Sequence, residues 1–170
     1  MDIPTITTPR LRLRAFTQDD AGPLQRIMGE SRVLDYFPNQ DPPSRQRIEK
    51  LISGQLAHWE KHGYGWWAVG LGADPELIGW AGLQYLPDTN ETEVAYLLDK
   101  RYWGQGLATE AARAGVAFGF EELGMACIVG ITHPDNIASQ RVLEKAGLHF
   151  TERTHYFGMD CFRFEITPAT

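Results

Sequence analysis

Short runs of alternating or wholly apolar residues recur along the chain, and they predict β-strands. The first is RLRLRAF at residues 10–16, where Leu11 and Leu13 fall on one face. Three further runs, YGWWAVGL, LIGWAGLQYL and TEVAYLLD, follow one another between residues 64 and 99. Because only the turn-rich segments GADPE and PDTNE separate them, these three runs predict an antiparallel meander. The run ACIVGI and two last strands, which extend through CFRFEI, bring the predicted set to seven.

Four other segments are predicted to be helices, and they carry capping residues or apolar residues at helical spacing. Thr17 is the predicted N-cap of the first helix, and Ser44 is that of a second helix, which ends near Gly63. The third helix runs from Gly104 to Leu123, with small residues on its apolar face, so that it can pack closely on a sheet. The fourth runs from about Asp135 to Ala146.

The order of these elements predicts the class of fold. One strand is followed by two helices, three strands, a helix, a strand, a helix and two strands. This order favours a mixed α/β structure in which helices cover both faces of one sheet, with part of the sheet parallel where a helix crosses over. The chain has 170 residues and no linkers, repeats or low-complexity tracts, so residues 1–170 are expected to form a single domain.

Charge and cysteine content narrow the class of function. The formal net charge of -6 argues against a nucleic-acid binder, because such proteins depend on clustered Lys and Arg. No N-terminal signal pattern and no apolar stretch of about 18 residues is found, so no membrane association is expected. Of the two cysteines, Cys127 lies in an apolar run and is expected in the core, and neither a disulfide framework nor a metal site is indicated. A cytoplasmic protein without metal is expected.

A glycine-containing loop, RYWGQGLATEA at residues 101–111, lies directly behind the third strand of the meander. A strand, a glycine turn and a helix start together present unpaired backbone N–H groups that bind anions. The segment GQGLAT begins like a dinucleotide-binding fingerprint, but Thr109 stands where the third glycine would be, and no Gly-Lys-Ser or Gly-Lys-Thr follows. On these grounds alone, a plain tight turn and an anion cradle both remain open.

Two motifs resemble those of the GCN5-related N-acetyltransferase (GNAT) superfamily. RYWGQG, from Arg101 to Gly106, is similar to its acetyl-CoA loop, and NIASQRVLEKAG, from Asn136 to Gly147, resembles a signature of the ribosomal-protein (RimJ/RimL-type) N-acetyltransferases. The element order also matches over nearly the whole chain. The resemblance implies a central mixed, mostly antiparallel sheet of about seven strands with four helices on both faces. It also implies an N-acetyltransferase that uses acetyl-CoA as co-substrate and needs no metal.

The resemblance also implies which residues bind the coenzyme. Backbone N–H groups of the loop would hold the pyrophosphate, the edge of the preceding strand would pair with the pantetheine amides, and a residue of the last helix would bind the pantetheine arm from the opposite side. Either Arg101 or Arg141 would meet a coenzyme phosphate, unless it is a solvated surface charge. The implied coenzyme-binding residues are Tyr96, Leu97, Leu98, Arg101, Trp103, Gly104, Gln105, Gly106, Leu107, Ala108, Thr109, Asn136 and Ser139.

Acetyl transfer to an amine needs a base for the ammonium and a proton donor for the departing thiolate. Glu93, at the start of the coenzyme-binding strand, is the first candidate base, with Glu91 and His133 in reserve; each could instead be a surface residue without a task. Many members of the superfamily place a tyrosine seven residues after the motif asparagine, where this chain has Leu143. The resemblance to the ribosomal-type subgroup implies Ser139 instead as the general acid, although it could equally stabilise the helix start.

The reaction expected from the resemblance is direct transfer in a ternary complex, with the backbone N–H of Leu98 on the thioester oxygen. The acceptor would be a peptide α-amine or a small-molecule amine, and a homodimer is possible. The alternative is a non-catalytic acyl-CoA-binding or sensing module that keeps the loop without the chemistry. Four aromatic residues are candidates for the acceptor pocket, or for simple packing: Tyr36, Phe37, Tyr156 and Phe157.

Overall fold

Eight strands form a single sheet in the computed structural model, which describes residues 1–170. The strands lie in the spatial order β1-β2-β3-β4-β5-β6-β8-β7, and every neighbouring pair is antiparallel except β5 and β6. The strands are β1 (Ile6–Thr7), β2 (Leu11–Arg14), β3 (Trp66–Leu71), β4 (Leu77–Leu86), β5 (Glu91–Leu98), β6 (Ile128–Thr132), β7 (His149–Tyr156) and β8 (Met159–Ile166). The expected mixed, mostly antiparallel sheet is confirmed; β1 was missed because two residues cannot show alternation.

Four helices accompany the sheet, and their ends follow from local chemistry. They are α1 (Ala21–Gly29), α2 (Arg45–His62), α3 (Leu107–Glu121) and α4 (Ile137–Lys145). The Ser44 hydroxyl accepts a hydrogen bond from the Arg47 N–H at the start of α2, and Gly63 ends that helix with a φ of 77°. Thr17 is separated from α1 by one 3-10 turn, so its capping of that helix is indirect.

The two helix pairs cover opposite faces of the sheet, as the element order predicts. Residues of α1 and α2 form one core with the side chains of Ala68, Trp80 and Leu97. Residues of α3 pack with Val94 and Leu98 in the other core. Because side chains of a strand alternate between faces, neighbouring residues of β5 belong to different cores. The expected position of Cys127 is wrong: β6 begins one residue later and Cys127 is only partly buried, whereas Cys161 is fully buried.

The sheet divides into two halves between β5 and β6. The only paired residues of these parallel strands are Glu93 and Val129. Beyond that point β5 stays paired with β4 as far as Leu98, while β6 stays paired with β8 along its whole length. The two strands therefore diverge towards their carboxyl ends, and a cleft opens between them. No helix of the chain is both long and apolar enough to span a membrane.

Candidate active site

A cavity of about 680 Å³ occupies the cleft between the diverging strands. Its walls come from β5, the glycine loop, the first turn of α3, α4, the loop between α1 and α2, and the turn between β7 and β8. The cavity brings together most of the residues expected from the sequence: Glu93, Tyr96, Leu97, Leu98, Trp103, Gly104, Gly106, Leu107, Ala108, Thr109, His133, Asn136, Ser139 and Arg141. Gln105, Arg101 and Glu91 do not line it.

The glycine loop adopts a conformation that only glycine accepts readily. Gly104 and Gly106 have φ angles of 75° and 77°, in the left-handed region where a Cβ is strained. These two angles also explain why α3 begins at Leu107 and not at Gly104, as the spacing predicted. The first hydrogen bond of α3 runs from the Glu110 N–H to the Gly106 carbonyl, so the N–H groups of residues 107–109 have no partner within the helix. They lie beside the cavity at the positive end of the helix dipole.

A side chain that the sequence did not point to holds this loop in place. The Arg10 guanidinium donates from Nη1 to the Gln105 carbonyl at 2.7 Å and from Nε to Glu110 Oε1 at 2.9 Å. Thr8 donates to the same Glu110 carboxylate at 2.6 Å. The turn between β1 and β2 is thereby connected to the loop and to the first turn of α3. Only the fold, which brings together residues about a hundred positions apart in sequence, reveals this arrangement.

The structure corrects the expectation for Arg101. Its guanidinium bonds the buried Asp99 carboxylate through Nε at 3.0 Å and Nη2 at 2.7 Å, and Nη2 also reaches Glu76 at 2.9 Å. The Arg101 guanidinium is therefore paired with two carboxylates and lies outside the cavity. Arg141 lies on the cavity wall and forms no ion pair or side-chain hydrogen bond with the protein. Lys145 lies one helical turn further along α4 and also lines the cavity. Residues four apart lie on the same face of a helix, so the spacing of Arg141 and Lys145 could have identified Lys145 from the sequence.

The free edge of β5 faces the cavity. The Asp99 N–H donates to the Ile78 carbonyl of β4 at 2.7 Å, and N–H directions alternate along a strand. The N–H groups of Tyr96 and Leu98 consequently point away from β4, towards the cleft. The Trp103 indole donates to the Leu98 carbonyl at 2.9 Å from this side. The backbone N–H of Leu97 points to β4, so only the Leu97 side chain can contact the cavity. The expectation that Leu97 offers a backbone donor at the strand edge is therefore wrong.

Glu93 stands apart from the other candidate bases in its electrostatics. Its side chain is 7% exposed, it borders the cavity, and it has no hydrogen-bond partner within the protein. Burial disfavours the carboxylate and raises the pKa of Glu93 to about 8. An acid with a pKa near neutral pH is suited to exchange protons with a substrate.

The two reserve candidates differ from Glu93. Burial pushes the pKa of Glu91 upwards, but hydrogen bonds from Tyr156 at 2.6 Å and Arg163 at 2.7 and 2.9 Å outweigh it, and the pKa lies below its ordinary value. These bonds hold Glu91 as a structural ion pair away from the cavity. His133 does line the cavity, where its Nδ1 accepts the Asp135 N–H at 3.0 Å and its ring lies 5.3 Å from that of Tyr36.

The start of α4 carries the opposite wall. Asn136 is the N-cap, and its Oδ1 accepts the Ser139 N–H at 3.1 Å. The Ser139 hydroxyl lies 2.9 Å from the phenol oxygen of Tyr96, which also donates to the Ser139 carbonyl at 3.1 Å. Leu143 is 1% exposed and packs on Gly130, where a Cβ would meet its Cδ2 at 2.4 Å. Position 143 thus belongs to the core, and the phenol near Ser139 comes from β5.

Aromatic side chains also line the cavity. Tyr36, Phe37 and Phe157 line it as expected, whereas Tyr156 is bonded to Glu91 and does not. Trp80, which belongs to the core that α1 and α2 cover, also lines the cavity and stacks on Trp66 at 3.7 Å between ring centroids.

Cys161 also borders the cavity. Burial raises the pKa of the Cys161 thiol, so it remains protonated and is a poor nucleophile at neutral pH. No cluster of side chains in the chain is suited to bind a metal ion.

Comparisons with known proteins agree with this geometry. A family model described as an acetyltransferase (GNAT) domain matches residues 10–149. The uncharacterized N-acetyltransferase YoaA of Bacillus subtilis is 30% identical over 146 residues, which cover 85% of this chain and 82% of YoaA. An acetyltransferase structure from Agrobacterium tumefaciens superposes with a TM-score of 0.87 at 27% identity, over 99% of this chain and 96% of the other. A candidate ribosomal-protein-serine acetyltransferase from Vibrio cholerae superposes with a TM-score of 0.81 at 26% identity, over 99% and 100%.

Proposed function

This chain belongs to the GNAT acetyltransferase family, and we propose that it transfers the acetyl group of acetyl-CoA to a primary amine by direct attack in a ternary complex. Membership of the family confirms the expectation of an acetyltransferase enzyme and disfavours a non-catalytic module. One observation carries the finer proposal: the cleft between β5 and β6 has the start of α3 on one wall and the desolvated Glu93 on another. An anion cradle and a base with a raised pKa thus face a single cavity.

The glycine loop suits the diphosphate of the coenzyme. Two left-handed glycines leave the loop surface free of side chains at Gly104 and Gly106, and residues 107–109, whose N–H groups have no partner within the helix, line the cavity. Arg141 and Lys145 supply uncommitted positive charge beside them. We expect Tyr96 and Leu98 to offer backbone N–H groups to the pantetheine arm, with Asn136 across the cleft. Bound acetyl-CoA would supply the activated thioester.

Glu93 is proposed as the general base. An alkylammonium must lose a proton before its nitrogen can attack, and a carboxyl group with a pKa of about 8 accepts that proton far more readily than an exposed glutamate does. Glu93 reaches the cavity from the face of the sheet covered by α1 and α2, which carries Trp80 and Leu97 in the same core. An amine entering from that side would meet the carboxylate first.

On the coenzyme side, Ser139, expected as the general acid, is proposed to donate a hydrogen bond to the departing sulfur while keeping its own proton. The Leu98 N–H would stabilise the thioester oxygen as it gains negative charge. Direct transfer fits the surroundings of both cysteines, because neither is an activated thiolate: Cys161 is buried with a raised pKa, and Cys127 lies outside the cavity with a raised pKa.

The acceptor is proposed to be a peptide α-amine or a small-molecule amine with an apolar body. The cavity end that would receive it is walled by Tyr36, Phe37, Trp80 and Phe157, with Met159 beside them. Aromatic walls bind an extended apolar group and offer few polar contacts. The similarity to the candidate ribosomal-protein-serine acetyltransferase of Vibrio cholerae makes a protein N-terminus the first acceptor to test.

Two measurements test the proposal. Isothermal titration with acetyl-CoA should show one binding site, and a free-thiol assay against N-terminal peptides and primary amines should show release of coenzyme thiol that depends on the acceptor. Gly104→Ala, which places a Cβ in the strained loop, is the matched control and should weaken coenzyme binding. Absence of acetyl-CoA binding to the wild-type chain would refute the proposal. Binding without release from any acceptor would support the sensing module instead.

A further inference from the structure

A tyrosine and a serine on opposite walls of the cleft share a hydrogen bond. Tyr96 belongs to β5, where its side chain takes the face covered by α3 and α4, and its phenol oxygen lies 2.9 Å from Ser139 Oγ. The same phenol donates to the Ser139 carbonyl at 3.1 Å. Both residues line the cavity. The pair spans the cleft beyond Glu93, where the two halves of the sheet are no longer joined by strand pairing.

The hydroxyl protons of this pair have two arrangements. The Ser139 carbonyl can only accept, so the phenol proton points either to that carbonyl or to Ser139 Oγ. In the first arrangement the Ser139 hydroxyl donates a hydrogen bond to the phenol oxygen of Tyr96. In the second, the phenol donates to Ser139 Oγ, and the serine proton is free to point into the cavity. Because Tyr96 reaches both oxygens at normal distances, rotation of two hydrogens converts one arrangement into the other.

We infer that Tyr96 is a positioning residue for acetyl transfer: its phenol donates to Ser139 Oγ and so directs the serine O–H at the departing sulfur. This inference rests on the proposed function, which places the thioester between β5 and α4. Donation by Tyr96 polarises the serine O–H, and chained hydrogen bonds of this kind strengthen one another. Burial raises the pKa of Tyr96 above its ordinary value, which keeps the phenol protonated and therefore available as a donor.

The proton balance limits what this pair does. The ammonium gives one proton to Glu93 before attack; as the carbon–nitrogen bond forms, the nitrogen releases a second proton to solvent water, and as the carbon–sulfur bond breaks, its electron pair passes to sulfur. A serine hydroxyl is a weaker acid than a thiol, so Ser139 keeps its proton and stabilises the thiolate through a hydrogen bond. Water then protonates the thiolate. The pair therefore lowers the energy of the thiolate without being consumed.

The thiol of bound coenzyme A reports on this pair without any need for catalysis. The thiolate absorbs in the ultraviolet, so its pKa can be titrated in the complex of the protein with free coenzyme A. We expect the bound thiol to have a lower pKa than the free coenzyme, and Tyr96→Phe to raise it by about one unit, as loss of part of a hydrogen bond to a charged group predicts. Ser139→Ala should raise it further, and the double variant should match Ser139→Ala alone.

Turnover supplies a second measurement. Tyr96→Phe should reduce kcat about tenfold and change acetyl-CoA affinity less than twofold, because the backbone of β5 is unchanged. Tyr85→Phe, on the neighbouring strand, is the matched control: its phenol bonds Asn90 and lies away from the cavity, so its loss should leave both the thiol pKa and kcat unchanged. Circular dichroism and coenzyme affinity verify that each variant is folded.

The inference is overturned if Tyr96→Phe leaves the bound thiol at the wild-type pKa, or if the effects of Tyr96→Phe and Ser139→Ala simply add. It is also overturned if the bound and free thiols titrate alike in the wild-type protein. Failure of the proposed function looks different: coenzyme A would bind and its thiol could be titrated, but no amine would be acetylated. The two failures can thus be told apart with the same preparation.

Discussion

Replacing Glu93 by Gln should abolish most activity while making the protein more stable at alkaline pH. Gln is nearly isosteric with a protonated Glu but cannot ionise. The pKa of about 8 lies about 3.5 units above the ordinary 4.5 of a glutamate. At about 1.36 kcal/mol per unit, ionised Glu93 destabilises the folded protein by up to roughly 5 kcal/mol. This figure is an upper bound, because the carboxylate borders a cavity that water can enter.

The sign of the pH dependence follows from which state binds the proton. Between pH 4.5 and about 8, the folded protein holds a proton on Glu93 that the unfolded chain has lost. The stability of the wild-type protein therefore falls across this window as pH rises, and it becomes level above about pH 8. The variant lacks this fall. Urea unfolding should give equal free energies for the two proteins near about pH 4, and a more stable variant near about pH 9.

The activity of the same variant tests the role of Glu93 as the base. Loss of a general base lowers the rate by about 10² to 10⁴, and the acid limb of kcat/KM, with a midpoint near 8, should disappear. The acceptor must be an alkylamine with a pKa of about 10.4, because a peptide α-amine titrates at about 8 itself and would hide the limb. Acetyl-CoA affinity should change little, since Glu93 lies away from the glycine loop.

Glu91→Gln is the matched control. Glu91 lies two residues away on the same strand but outside the cavity, and its bonds to Tyr156 and Arg163 lower its pKa. Its replacement should keep the acid limb and reduce stability at neutral pH, opposite in sign to the change at Glu93. A limb that persists in Glu93→Gln would refute the assignment of the base and direct attention to His133. Equal stability of that variant and the wild type near about pH 9 would refute the desolvation argument.

Four further substitutions test the loop and its surroundings. Gly106→Ala should weaken acetyl-CoA binding about tenfold and lower stability by about 1–2 kcal/mol, measured by calorimetry, because its φ of 77° strains any Cβ. Gly130→Ala should destabilise by about 1–3 kcal/mol in thermal unfolding, since the new Cβ would lie 2.4 Å from Leu143 Cδ2. Arg141→Ala should raise the Kd for coenzyme A at low salt, measured by titration. Arg101→Ala should chiefly lower the free energy of unfolding. The reverse pattern would identify Arg101 as the phosphate ligand.

Much of the candidate site could be found from the sequence because its signals are local. Gly104 and Gly106 are required by the backbone angles of a single turn. Asn136 caps a helix that begins one residue later, and its bond to the Ser139 N–H spans three positions. The alternation of β5 placed Glu93 and Tyr96 on a strand next to the loop. Each of these inferences involves residues close together in the chain, where geometry depends on few other contacts.

Two of the errors involve long-range contacts. Arg101 forms an ion pair with Glu76, 25 positions away, and Tyr156 donates a hydrogen bond to Glu91, 65 positions away. Neither pairing leaves a periodic trace in the sequence. Ion pairs and hydrogen bonds form between whatever side chains the fold brings together, and a pattern read along the chain does not contain those distances.

The sequence by itself determined most of the elements, their order and the position of the glycine loop, because periodicity, caps and left-handed glycines act over a few residues. Tertiary structure alone decided the chemistry of the cleft. The packing of separate elements buries Glu93 and thereby raises its pKa. The same packing places the phenol of Tyr96 beside Ser139, 43 positions away. Desolvation and hydrogen bonding depend on three-dimensional surroundings, so the identity of a residue names a candidate acid or base, and the packing around it sets its proton affinity.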